Sequence, residues 1–295
     1  MRLIIASTLV ALGICLALQA GQASSESRNP LLRRYRAGET LVYRMKGVNE
    51  KWHYEIQVDG IVKKDSTGAY FEEYRWSNML SDHQPVVLSP ASVEFRQQLS
   101  LDPDFHLMAP NLNHVDPKLI GPITDLMNFY ADLWLAVKTG HLVHSGDHFY
   151  YKYGRPSSWA DGTSVLIGES AIDFDMTLKA LDRADNRATV LVRHVPPEKS
   201  QIPMPATWME QPIADTPNNW VMVSKTPDGK YTAGVGKETF DVEINVSLVD
   251  GRILTARMDN LVNTSMRQCE DKALSKCSDP VPHPISRKIE ISLER

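Results

Sequence analysis

Three histidines and an aspartate lie within eight residues of this 295-residue chain, in the segment HLVHSGDH at positions 141–148. Imidazole nitrogens and carboxylate oxygens are the usual ligands of zinc, so this set could hold a metal ion that activates water for hydrolysis. The segment also follows the end of a predicted helix, where histidines suit the helix dipole. We therefore expect the rings to point away from a common centre. The candidate ligands are His141, His144, Asp147 and His148.

Two pairs of acidic residues are a second place where chemistry could occur. Asp173 and Asp175 lie two residues apart on a strand-like run, and therefore on one face, as paired catalytic carboxylates do. Asp125 and Asp132 lie seven residues apart on a helix-like run. Both pairs fall in the polar phase of their run, so we expect all four carboxylates on the surface.

The sequence contains no familiar catalytic motif. GxSxG, HExxH, a Walker loop and a GxGxxG turn are all missing, although a catalytic triad is defined by geometry and needs no motif. No cofactor is expected. The net charge of −4, without a basic run, argues against nucleic acid as a partner.

Alternation of apolar and polar residues with period two dominates the chain and indicates its fold. Such alternation is typical of antiparallel strands with one buried and one solvated face. We therefore predict a mainly β (α+β) protein, with a large curved antiparallel sheet or half-barrel and one long amphipathic helix packed on it. The clearest runs are KWHYEIQV (51–58), VEFRQQLSL (93–101), AIDFDMTLKAL (171–181) and FDVEINVSL (240–248).

The turn at Asp250-Gly251 predicts the register of one hairpin. A three-residue loop over 249–251 keeps the apolar residues of both flanking runs on one face and gives Gly251 the left-handed position. This register pairs Val246 with Leu254, Ile244 with Ala256 and Val242 with Met258.

The segment GPITDLMNFYADLWLAVKTG (121–140) predicts the long helix, which begins at Pro122 and ends at Gly140. Just upstream, Asp116-Pro117 indicates the cap of a shorter helical turn, so the helical insertion covers about 116–140 of a single domain (24–295). Apolar residues form a wide stripe that must pack on the sheet. The stripe contains Ile123, Leu126, Met127, Tyr130, Leu133, Trp134 and Val137.

A proline-rich loop at 196–218 and the aromatic residues of the helix suggest a ligand pocket. A loop of this length in a compact domain is usually functional or disordered, and here it could cover either an apolar cavity or a sheet edge. Core packing is the default for the aromatic residues, but Tyr and Trp could equally line a pocket between sheet and helix, because each has a polar end that needs a partner. The pocket candidates are Tyr130, Trp134, Met204, Trp208 and Met209.

The N-terminal residues have the pattern of a secretory signal peptide. Arg2 precedes an apolar run over 3–18, and Gly21-Gln22-Ala23 offers a cleavage site near Ala23. An uncleaved anchor is the alternative, but the run is short for a membrane span, and no later segment is long and apolar enough. We expect an exported bacterial protein, periplasmic or extracellular, in which Cys269 and Cys277 form a disulfide.

Two short motifs resemble those of exported bacterial proteins of unknown function. RAGETLVYRMKG (36–47) is similar to their G-E-x-L-x-Y opening, and LVHSGDHFYY (142–151) to their G-D-x-F strand entry. That group resembles, in architecture, the half-barrel lipoprotein carriers of the bacterial envelope, in which a curved sheet wraps a helix and holds acyl chains. The resemblance implies a β-rich envelope protein, although the proline-rich loop and the late disulfide depart from those carriers.

The leading hypothesis is therefore a non-catalytic binding or carrier protein for an apolar, lipid-like or amphipathic ligand. The first alternative is a metal-dependent hydrolase that uses the histidine segment 141–148. The second is a structural interaction module of the envelope.

Overall fold

The computed structural model describes residues 29–50, 52–105, 110–112, 114–153, 157–160, 164–168, 172–195, 219–271 and 274–294. This part of the chain contains fifteen strands, one long helix and one short helix. The helices are α1 (Pro90–Glu94) and α2 (Pro117–Thr139). The strands are β1 (Thr40–Asn49), β2 (Trp52–Lys64), β3 (Tyr70–Ser81), β4 (Gln84–Pro85), β5 (Gln97–Leu99), β6 (His148–Tyr153), β7 (Ser157–Ala160), β8 (Ser164–Gly168), β9 (Ile172–Asp182), β10 (Arg187–Val195), β11 (Trp220–Lys225), β12 (Tyr231–Ser247), β13 (Ile253–Cys269), β14 (Val281–Pro282) and β15 (Ile285–Leu293).

The strands form a large antiparallel sheet that is not closed, as the alternating runs predict. Its main path is β4-β3-β2-β1-β15-β13-β12-β10-β9-β6, so the first and last long strands pair in the middle. The long strand β12 pairs with β10 along one half and with β11 along the other, and β11 continues to β8 and β7.

The predicted burial pattern is confirmed in β2 and β12 but fails at the start of the 93–101 run. There Pro90–Glu94 forms α1, and Val93 is 52% exposed. Ser89 caps this helix by accepting a hydrogen bond from the Ser92 N–H (3.4 Å), and Pro90 suits the first turn. A local helix-start signal therefore overrides the alternation, and a strand, β5, forms only at Gln97–Leu99.

The β12–β13 hairpin has two of its three predicted pairs. Ile244 pairs with Ala256 and Val242 with Met258, whereas Val246 pairs with Ile253 because a bulge follows Asn245. Gly251 has a φ of 75°, as predicted, and a Cβ there would lie 2.5 Å from the Leu32 carbonyl oxygen. The loop therefore packs directly against Leu32 and Arg33, a contact that the local sequence does not reveal.

Helix α2 is one continuous helix, not a short turn followed by a helix that starts at Pro122. It begins after the N-cap Asp116 and ends at Gly140, which has the left-handed φ of 65°. Pro122 lies inside and has no N–H to donate. The hydroxyl of Thr124 donates to the nearby carbonyls of Ile120 (3.1 Å) and Gly121 (2.9 Å).

Two tyrosines connect the inner face of the sheet to α2, and each lies over a glycine of the next strand. Tyr54 is opposite Gly47, and Tyr74 is opposite Gly60. A Cβ at either glycine would lie 2.1 or 2.3 Å from the ring. Only glycine leaves room for the ring, and this position directs the hydroxyls of Tyr54 and Tyr74 to polar groups beside the helix.

The outer face of the sheet is polar and alternates in charge. One row crosses five neighbouring strands as Glu243, Arg257, Glu290, Lys46 and Glu55, each opposite the next. Opposite charges on facing positions stabilise the register. Near the end of β13, Cys269 and Cys277 form the predicted disulfide, with their Cα atoms 4.0 Å apart. Within the residues described, neither helix has the length and apolar character needed to cross a membrane.

Candidate functional site

Strand pairing places six residues in one row across the inner face, which we call the terminal row. The neighbouring row is apolar, with Phe149, Met176, Val192, Val242, Met258 and Ile289. On the inner face, an apolar row therefore lies beside a row of aromatic and polar side chains. The terminal row contains Tyr151, Phe174, His194, Phe240, Asn260 and Arg287.

Asp132 of α2 binds His194 of the terminal row. Its Oδ1 lies 2.8 Å from His194 Nε2, and the two side chains are only 2% and 9% exposed. The rings of Phe174 and Phe240 pack against the imidazole, with centroids 4.7 and 4.6 Å away. The expectation that Asp132 lies on the surface is wrong, because the sheet also covers the predicted polar side of the helix.

Asp125, two helical turns earlier, binds the other end of the terminal row. Its carboxylate forms an ion pair with Arg287 and accepts a hydrogen bond from the Tyr54 hydroxyl (2.8 Å). Asp125 is 1% exposed, so the surface prediction is wrong here too. Burial raises the pKa of Asp125, and the ion pair with Arg287 opposes that shift.

The contacts of Asp125 with Arg287 and of Asp132 with His194 determine the direction of α2 relative to the strands. Asp125 and Asp132 are seven residues apart, about 10 Å along a helix. Arg287 and His194 lie three strands apart, about 14 Å across a sheet. Helix α2 therefore runs along the terminal row and across the strands.

A second polar group, which we call the Glu72 cluster, contacts the helix at Tyr130. The Glu72 carboxylate accepts hydrogen bonds from Arg33 Nε (3.0 Å), from the Tyr74 hydroxyl (3.1 Å) and from the Tyr130 hydroxyl. Arg33 also donates to Glu39 (2.9 Å). Both carboxylate oxygens of Glu72 therefore have donors. The cluster consists of Arg33, Glu39, Glu72, Tyr74 and Tyr130.

Burial dominates the ionisation of the Glu72 cluster. It raises the pKa of Glu72, and the nearby Arg33 guanidinium and the tyrosine hydroxyls oppose that shift. Burial also raises the pKa of Tyr74 and Tyr130 well above the ordinary value. Both hydroxyls therefore stay protonated and act as donors to the carboxylate.

The Asp132 carboxylate is less completely bonded. Its Oδ1 binds His194, but no donor among the described residues reaches its Oδ2. The side-chain oxygen of Asn260, in the terminal row, is also buried without a donor in this part of the chain. Buried acceptors are normally bonded, so these two atoms call for an explanation.

Of the predicted metal ligands, His144 and Asp147 lie close together, with His144 Nδ1 3.6 Å from the Asp147 carboxylate, but His141 and His148 contact other residues. The ring of His141 stacks on Phe149 (4.1 Å between centroids), and His148 Nε2 lies 2.5 Å from Asp175. Asp147 accepts the N–H groups of Val143 (2.8 Å) and His144 (2.6 Å), which lowers the pKa of Asp147. In the described ranges, no group of three or more His, Cys, Asp or Glu residues could hold a metal ion. The segment forms the turn between α2 and β6.

The acids Asp173 and Asp175 lie on the outer face of β9, each with its own partner. The Tyr150 hydroxyl donates to Asp173 (2.6 Å), and His148 binds Asp175. Asp175 remains partly exposed, whereas Asp173 is only 9% exposed. The surface expectation therefore fails for Asp173, and the two carboxylates make separate contacts.

The predicted pocket residues that are described have separate environments. Tyr130 belongs to the Glu72 cluster, whereas half-buried Trp134 donates to the Asp102 carbonyl (2.9 Å) and packs under Lys138. The other pocket candidates, Met204, Trp208 and Met209, lie outside the described residues, as do the 196–218 loop and the N-terminal segment 1–23.

Sequence reasoning missed the partners His194, Arg287, Arg33 and Glu72. One signal was available, because Phe129, Leu135 and Ala136 lie outside the predicted stripe and are apolar. A helix that is apolar on several sides is contacted on several sides, and acids within it then need buried partners.

Comparison with known proteins adds no relative. No protein-family model, no curated protein and no solved structure matches this chain. The site is therefore interpreted from its own geometry.

Proposed function

We propose that this protein is an exported, non-catalytic binding or carrier protein for an amphipathic ligand. The observation that carries the proposal is a group of half-buried aromatic side chains on the inner face of β6 and β9, which we call the aromatic end. It consists of Phe149, Tyr151 and Phe174. Of these rings, Phe174 packs against His194, the partner of buried Asp132. Apolar walls with a few convergent polar groups are typical of small-molecule sites.

The remainder of the inner face is less suited to a ligand. Helix α2 fills it with buried side chains such as Ile123, Leu126 and Leu133, each of which is completely buried. The outer face carries the charge-alternating row that includes Glu243 and Arg257, which offers an acyl chain no continuous apolar surface. The aromatic end thus combines partial exposure with apolar character.

Binding of a neutral apolar probe tests the proposal. The full-length protein, purified from a bacterial periplasm, is titrated with N-phenyl-1-naphthylamine, and its native mass spectrum is recorded to detect a co-purified ligand. Tyr151 and Tyr150 are adjacent on β6, but Tyr151 packs on the core whereas Tyr150 is 43% exposed on the outer face. Tyr151→Ala should weaken probe binding by about tenfold, the loss expected for part of a buried ring, and Tyr150→Ala should leave it unchanged.

Two results would contradict the proposal. One is the absence of both a co-purified ligand and probe binding. The other is an equal loss of affinity in the two tyrosine variants, which would mean that the probe does not distinguish the inner face from the outer one.

A further inference from the structure

We infer that Asp132 receives an ammonium group of the ligand, so that the ligand is a cationic amphiphile. This inference rests on the proposed function, because it takes the aromatic end as the place where the apolar part binds. Its starting point is the Asp132 carboxylate, which is 2% exposed and has one oxygen without a donor in the described part of the chain.

A missing donor at a buried carboxylate is a specific chemical requirement. Leaving a buried acceptor unbonded costs its full desolvation, and a charged acceptor costs more than a neutral one. An incoming N–H or O–H group that reaches Oδ2 removes that cost. The site therefore favours a ligand that donates hydrogen bonds.

Charge then favours ammonium over the other donors. The Asp132 carboxylate beside His194 attracts a cation and repels another carboxylate. An ammonium group brings three donors and forms charge-assisted hydrogen bonds, which are stronger than those of a hydroxyl. The rings of Phe174 and Phe240 pack against the imidazole and supply aromatic surface beside the Asp132–His194 pair.

Asp125 shows why the ammonium site lies at Asp132. Both acids are buried on the same side of α2, but Asp125 already binds Arg287 through one oxygen and Tyr54 through the other. Its carboxylate has its charge and both acceptors satisfied within the protein.

A matched series of twelve-carbon ligands tests the inference. Dodecylamine, dodecanol, dodecanoate and dodecyltrimethylammonium, each below its micelle concentration at pH 7, displace the neutral probe from the full-length protein. Dodecylamine is protonated at this pH, as a lysine side chain is. It should bind at least about tenfold more tightly than dodecanol, and dodecanoate should bind most weakly. The trimethylammonium compound, which has no N–H, should lose about tenfold relative to dodecylamine.

Two isosteric variants locate the preference. Asp132→Asn should reduce the ratio of dodecylamine to dodecanol affinity to about one. Asp241→Asn removes an acid from the outer face, where Asp241 is paired with Arg193, and should leave the ratio unchanged. This control distinguishes Asp132 from the general negative charge of the protein.

The possible failures are distinguishable. If all four ligands bind equally and Tyr151→Ala weakens each of them, the ammonium inference is overturned while the proposed function stands. If none binds, the proposed function itself fails. Equal affinity for dodecylamine and its trimethyl analogue would overturn N–H donation to Asp132 without any variant, so the test holds even if Asp132→Asn does not fold.

Discussion

Helix α2 places Tyr130 into the Glu72 cluster and Asp132 against the terminal row, and these two places differ in how completely their carboxylates are bonded. In the Glu72 cluster, both carboxylate oxygens have donors, and Arg33 is shared with Glu39. At Asp132, one oxygen binds His194 and the other has no donor among the described residues. A saturated network fixes the helix to the sheet, whereas an unsaturated one is suited to receive a ligand.

Residues 29–34 supply Arg33, which completes the hydrogen bonding of the Glu72 carboxylate. Leu31 and Arg33 are buried, and Asn29 donates from its side chain to the Val137 carbonyl at the end of α2 (2.9 Å). The backbone N–H of Arg34 donates to the Asp250 carbonyl (2.7 Å) in the β12–β13 loop. Residues 29–34 thus cover this part of the core and join the helix, the hairpin and β3.

The largest expected effect comes from breaking the saturated network. Glu72→Gln replaces an acceptor oxygen by a donor and leaves the Arg33 guanidinium, whose side chain is fully buried, without its main counter-charge. We expect a loss of about 3–5 kcal/mol in the free energy of unfolding, measured by urea denaturation.

An exposed ion pair provides the control for this loss. Arg44 and Glu294 form a pair of the same types on the surface, with side chains 53% and 39% exposed. Arg44→Met should cost about 0–1 kcal/mol. Similar losses in Glu72→Gln and Arg44→Met would show that the Glu72 cluster does not hold the helix.

The next effect comes from the glycine beneath Tyr74. In Gly60→Ala, the new Cβ would lie 2.3 Å from the Tyr74 ring, so the ring must move away from Glu72 and Tyr130. We expect a loss of about 1–3 kcal/mol, as for other overpacked cores, measured by urea denaturation.

Gly121→Ala in α2 is the matched control. Its Cβ would have no neighbour closer than 3.9 Å, in the Trp52 ring. Because alanine favours a helix, this variant should gain up to about 1 kcal/mol. A Gly60→Ala protein as stable as the wild type would contradict the role of the glycine–tyrosine pair.

The elements of this fold could be predicted because their signals are local. Period-two alternation in 240–248 is visible in nine residues, and the buried strand that forms there follows it. The turn glycine Gly251 and the helix end at Gly140 are also local signals, and both are confirmed. Where two local signals compete, as at Ser89-Pro90, the helix cap decides the outcome.

The polar contacts could not be predicted because their partners are distant in the sequence. Asp125 and Arg287 are 162 residues apart, and Asp132 and His194 are 62 apart. Their meeting depends on the order of the strands and on the register of the terminal row, which local patterns do not specify. A helical wheel with one assumed buried side therefore placed both acids in solvent.

The third expected effect, that of Asp132→Asn on the free energy of unfolding, should be small. It compares the Asp132 carboxylate directly with that of Glu72. Asp132→Asn is the same chemical change as Glu72→Gln, but it removes a charge that has one unbonded oxygen, and the amide oxygen still faces His194. We expect the free energy of unfolding to change by less than about 1 kcal/mol, because the lower desolvation cost offsets the weaker hydrogen bond. A loss as large as that of Glu72→Gln would mean that Asp132 is a structural group, and the contrast between the two regions would not hold.

The smallest effect concerns Tyr150 and Asp173, a tyrosine–carboxylate pair like Tyr130 and Glu72 but on the outer face. The hydrogen bond to Asp173 raises the pKa of Tyr150 to about 12, above its ordinary value of 10. Since the folded-state pKa is the higher one, the pair contributes its stability fully below about pH 10 and loses it as the pH rises through 12. Absorbance at 295 nm, as a difference from Tyr150→Phe, should give a midpoint near 12, and Asp173→Asn should return it to about 10. The same midpoint with and without the Asp173 carboxylate would show that this hydrogen bond does not persist in solution.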